Sequence, residues 1–105
     1  MTKQDYKILC TLKERISNTV KLLDMRVFGS RARGDADEYS DLDVFIETEA
    51  LNLEIKMMIK DVTWEVGIEN CLVISPLIFS RSELTETALK SSSIVQNIMS
   101  EGIII

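Results

Sequence analysis

Asp41 and Asp43 stand two residues apart at the head of an apolar run, "DLDVFI". In an extended chain, residues so spaced share a face with their carbons about 6 to 7 Å apart, so both carboxylates converge on one patch. Like charges that close repel, and a divalent cation between them turns the repulsion into a hard oxygen site suited to Mg2+. Upstream, Gly29-Ser30 follows the apolar pair Val27-Phe28 directly. Glycine there lets an anion approach backbone N–H groups, the Ser30 hydroxyl adds a donor, and Arg31 and Arg33 add charge-assisted donors for a polyphosphate. A phosphate grip facing a metal grip is what phosphoryl or nucleotidyl transfer needs. Each half alone has a plainer reading: Asp-x-Asp as a solvated strand end, Gly-Ser as an ordinary turn, each arginine as a solvated loop residue. Asp35, Asp37 and Glu38 between the halves read as solvated loop acids, and Ser40 as a turn cap.

The elements that must hold these groups follow from apolar spacing. Leu9, Leu12, Ile16, Val20 and Leu23 recur every three or four positions and predict an amphipathic helix over 5–23. Met25 to Phe28 is a short apolar strand halted at Gly29, and Asp41 to Ile46 is the next strand. Leu51, Ile55, Met58, Val62 and Val66 predict a second long helix, with Gly67 where a left-handed turn would end it. Trp64 on that helix reads as core or as a helix-packing surface. Cys71 to Phe79 is a third strand, with Pro76 marking an edge or a bulge. Ser80-Arg81-Ser82-Glu83 fits a capping box, Ile94, Val95, Ile98 and Met99 give a last helical face, and Ile103-Ile104-Ile105 should pack as a short strand or meet a partner. The order helix, strand, strand, helix, strand, helix predicts an α/β chain of the two-layer α+β kind, a small mixed sheet with helices mainly on one face, in a single domain over 1–105.

Composition narrows the function classes. Apolar residues make up 46% of the 105 residues and charged residues 28%, which suits a folded globular chain. A net charge of -5 argues against an extended nucleic-acid surface. The absence of histidine removes His triads, His metal ligands and a His general base. Cys10 and Cys71 read as packing thiols in a reduced, cytoplasmic setting, and no apolar run reaches the ~20 residues that span a bilayer.

The combination of Gly-Ser, ten intervening residues and Asp-x-Asp between two strands resembles the DNA polymerase beta-like nucleotidyltransferase superfamily. "GSRARGDADEYSDLD" is similar to the form found in its minimal nucleotidyltransferases, the MNT proteins. The resemblance is confined at motif level to Phe28 through Val44. It implies the polymerase beta-like nucleotidyltransferase fold, nucleotide binding by Gly29 and Ser30 with Arg31 and Arg33 in reach of phosphates, and metal-binding, catalytic roles for Asp41 and Asp43. It implies Mg2+ as cofactor, ATP as substrate and transfer of AMP to a hydroxyl. It further implies a helical HEPN-type partner in a toxin–antitoxin pair, with this chain as antitoxin. Active members add a third carboxylate from the next strand. Here "NCLVISPLIFS" offers an apolar residue such as Leu72 at the expected place, and Glu69 just before it is the candidate third metal ligand. Two function classes therefore stand: a Mg2+-dependent nucleotidyltransferase, or a nucleotide- or protein-binding module that neutralises a partner by contact. An oligomer through the apolar C-terminus is a further expectation.

Overall fold

Thr2 opens the first helix by a reciprocal cap: its hydroxyl accepts from the Asp5 amide, and the Asp5 carboxylate accepts from the Thr2 amide. The computed structural model, which describes residues 1–34 and 40–105, runs in the order α1 (Lys3–Ser17), β1 (Leu22–Phe28), α2 (Gly29–Arg33), β2 (Leu42–Thr48), α3 (Leu53–Glu69), β3 (Ile74–Ser80), α4 (Arg81–Glu86), a 3-10 turn (Ala88–Ser91), α5 (Ser93–Glu101) and β4 (Ile103–Ile104). The sheet order is β3-β2-β1-β4. β1 pairs antiparallel with β2 and with β4, while β2 and β3 run parallel, joined by α3 as the crossover.

Strand alternation divides the sheet into two faces. Met25 and Val27, Leu42, Val44 and Ile46, and Ile74 and Ile78 point to one side and form the main core with Ile8, Leu9, Leu12 and Ile16 of α1 and Ile59 and Val66 of α3. The other face carries Phe28 and Arg26 beside Asp43 and Phe45, with Ser75 and Leu77 beyond. α5 lies over part of it: Arg26 Nη1 donates to the Met99 carbonyl at 3.2 Å, and Gly102 sits against the Arg26 side chain. Phe45, Val95 and Ile98 are buried here, outside the main core. The two long helices thus share one face as expected, and the short C-terminal helices cover a portion of the second.

Several expectations need correcting. α1 stops at Ser17, with Asn18 as its cap, so Leu23 belongs to β1, where it is the extra residue in an irregularity between Leu22 and Asp24. Gly29-Ser30 opens a short helix, α2, where a tight turn was expected. Gly67 does not end α3. It lies inside the helix, where a Cβ would meet the Leu72 carbonyl at 2.6 Å, and the left-handed residue is Cys71, with φ of 55°. Cys10 and Cys71 are exposed, so neither is a packing thiol, and Trp64 is exposed on α3 outside the core. The Ser80–Glu83 capping box forms, Pro76 falls on the edge strand β3, and Ile103-Ile104 forms β4 along β1. Among the described residues, no helix is long and apolar enough to cross a membrane.

Candidate active site at the head of strand β2

β1 ends at Phe28 directly opposite Asp43, so the register of this hairpin sets the Gly29-Ser30 corner against the second aspartate. The fit is close. Gly29 has φ of 76°, and a Cβ built there would lie 2.5 Å from Asp43 Oδ2. Only glycine takes that backbone conformation at low cost while leaving the carboxylate its space. Phe28, the residue before α2, contributes no side-chain acceptor to the helix start. Ser30 follows on the first turn of α2, half-buried.

Asp41 immediately precedes β2 and is exposed, while Asp43 within the strand is half-buried. Burial, and secondly the negative charge of Asp41, push the Asp43 carboxyl above its ordinary pKa. Among the described residues no basic side chain forms an ion pair with either aspartate. The parallel register sets Ser75 of β3 beside Asp43, and the Ser75 hydroxyl donates to Asp41 Oδ2 at 3.3 Å. The place on β3 next to the aspartates is therefore held by a hydroxyl. Spacing along the chain could not locate it, because it depends on the pairing of strands about thirty residues apart.

Glu69 lies elsewhere. It ends α3 and holds Arg15 of α1 through both oxygens, at 3.1 and 2.9 Å. Among the described residues no group of three or more acidic or thiol side chains gathers as a metal cage, so Glu69 does not join Asp41 and Asp43. Leu72, the other residue considered for that place, precedes β3 and packs against the main core.

Arg31 faces inward from α2. Its Nε donates to the Ser40 carbonyl at 2.9 Å, and its Nη1 donates to Asp5 Oδ1 at 2.9 Å, both side chains of this ion pair being largely buried. It ties the short helix to α1 and to the residue just before Asp41. Sequence reasoning missed Asp5, whose two oxygens serve the α1 cap and this clamp together. Arg33 is exposed at the end of α2 and, with Phe28, Gly29 and Ala32, lines a 160 Å³ cleft closed on the other side by Ile98 and Glu101 of α5. Asp35, Asp37 and Glu38 lie outside the described residues.

The donor set fits a divalent cation. Two adjacent carboxylates face one side, one of them with its charged form disfavoured, and a cation shared between them would relieve both repulsion and desolvation. Gly29, having no side chain, leaves the backbone beside that carboxylate open to close approach.

Comparison with known proteins gives a family and a fold. A family model described as a nucleotidyltransferase domain matches residues 9–105. A crystal structure of a proposed nucleotidyltransferase from Sulfolobus solfataricus superimposes with a TM-score of 0.55 at 16% identity, covering 93% of this chain and 76% of that one. A chain from a crystal structure of a toxin–antitoxin with AMP-PNP superimposes with a TM-score of 0.64 at 18% identity, covering 93% of this chain and 69% of that one. At these identities the two structures speak for the fold. No curated protein matches the sequence.

Proposed function

Because the chain belongs to the nucleotidyltransferase domain family, we propose that it transfers AMP from ATP to a hydroxyl acceptor with Mg2+ as its metal, the acceptor being carried by a helical HEPN-type protein in a toxin–antitoxin pair in the cytoplasm. The observation that carries the reading is the close approach of Gly29 to Asp43, where a Cβ would lie 2.5 Å from Oδ2, since it sets a backbone open to a phosphate beside a carboxylate suited to a metal. Asp41 and Asp43 would hold the Mg2+, which when bound supplies positive charge to the phosphates and to the acceptor oxygen. Gly29 and Ser30 present backbone N–H and hydroxyl donors to the triphosphate, and Arg33 borders the same corner. Ser75 orients Asp41, and Arg31 keeps α2 and Ser40 at a fixed distance from α1. In the transfer, the acceptor oxygen bonds to the α-phosphorus, the bond from that phosphorus to the bridging oxygen breaks, pyrophosphate leaves, and the hydroxyl proton passes to water. The neighbour solved with AMP-PNP, a toxin–antitoxin structure, supports both an adenine nucleotide and a protein partner.

Incubation with Mg2+, α-phosphate-labelled ATP and the candidate partner tests the proposal. Label should move to the partner and transfer should vanish in Asp43→Ala. A second reading, a module that neutralises its partner by contact, is favoured by Ser75 standing where a third carboxylate would complete the metal cage. Neutralisation that persists in the Asp41→Ala/Asp43→Ala double variant, with no label moved by the wild type, would decide for it.

A further inference from the structure

The face of α3 turned away from the core is unusually apolar. Ile59, Thr63 and Val66 point inward, yet Leu53 (74% exposed), Met57 (56%), Trp64 (68%) and Ile68 (60%) point to solvent. At 3.6 residues per turn these four, with Lys60 and Asp61, fall within an arc of about 100° on the side opposite the core. A helix apolar on both sides is built to be covered on both sides.

The order along this stripe is symmetrical about the point between Lys60 and Asp61. When the helix is laid antiparallel against itself, Leu53 comes level with Ile68, Met57 level with Trp64, and Lys60 level with Asp61. We propose that α3 is a self-association surface, on which a second copy of this chain seats its own α3 antiparallel about a two-fold axis. An isologous contact requires one patch to complement itself, and this stripe does. Each copy brings one base and one acid to the crossing, so the four charges there sum to zero. On either side the Trp64 ring meets the Met57 thioether of the second copy, a favourable sulfur–aromatic contact. A 480 Å³ groove runs between α3 and the neighbouring edge strand, with Lys60, Trp64, Ile68 and the exposed Val73 among its walls. Pro76 on that edge removes a backbone donor, which disfavours an added strand as occupant.

Sedimentation equilibrium of the full chain from micromolar to sub-millimolar concentration should show a species of twice the 11.9 kDa chain mass. Emission of Trp64, the sole tryptophan, should move to the blue as the species forms. Lys60→Asp and Asp61→Lys should each weaken association by roughly tenfold or more, whereas an equimolar mixture of the two should restore it, because one chain then brings two acids and the other two bases to the crossing. All these positions are exposed, so melting curves taken at concentrations where every chain is monomeric should be unchanged, which confines the effect to the interface. A chain that stays monomeric throughout, a dimer indifferent to Trp64→Ser, or a face that takes only a different helical protein would each overturn the proposal.

Discussion

At Gly29 two demands meet in one residue, a left-handed backbone and a carboxylate where a methyl group would go. Gly29→Ala should therefore destabilise the fold by about 1–3 kcal/mol and abolish ATP binding, measured by thermal melting and by titration with nucleotide. Asp43 gives the opposite sign. Its folded pKa is raised, so its ionised form opposes folding above that pKa, and the opposition fades as pH falls through the folded pKa and is gone below the ordinary aspartate value, where folded and unfolded states are both protonated. Asp43→Asn should thus melt at or above the wild-type temperature at neutral pH, the advantage shrinking on acidification, while Mg2+ binding is lost at every pH. A melting difference independent of pH would contradict the burial and repulsion assigned to this carboxylate. Both aspartates and the glycine could be picked out in the sequence because their signals are local: period two at the head of a strand, and a glycine that halts an apolar strand. Ser75 could not, since only the parallel register brings it to Asp43.

At the level of elements, hydrophobic spacing located the long helices and three strands but misjudged their ends, which depend on caps and close approaches. Asn18 stops α1 before Val20 and Leu23 can extend its stripe, and Gly67 serves the Leu72 carbonyl inside α3. The relation between elements was less legible still. Arg31 reads as a phosphate ligand in the motif, yet in the fold it is the strut between α2, Ser40 and Asp5 of α1. Removing one member of a largely buried ion pair leaves the other charge without its counter-ion, so Arg31→Ala should cost about 3 kcal/mol. Asp5→Ala should cost a similar amount, and the double variant far less than the two combined, because the same interaction is lost in each. Urea denaturation of the four proteins completes the cycle. If the two effects instead add, the clamp does not hold the elements together.

For the whole molecule, the sheet carries two unlike apolar layers, one on each face, and Asp43 stands on the face of the smaller one. The main core between the sheet and the pair α1 and α3 holds Ile59, on the face of the sheet opposite Asp43. The smaller buried group on the other face includes Ile98 of α5, which also walls the cleft beside Gly29 and Arg33. Shortening either isoleucine to alanine removes fully buried methyl groups and should lower stability by about 2–5 kcal/mol. Their consequences for ligand binding should differ. In Ile59→Ala, nucleotide affinity measured where the protein remains folded should match the wild type, since the cavity opens on the far side of β2. In Ile98→Ala the wall of the cleft recedes and α5 loses its anchor on the sheet, so affinity should fall several-fold beyond any loss of folded protein. Equal affinities in the two variants would mean that the C-terminal layer serves stability alone. A fall confined to Ile98→Ala would make α5 part of the nucleotide site, although nothing in its own sequence except an amphipathic spacing marks it for that role.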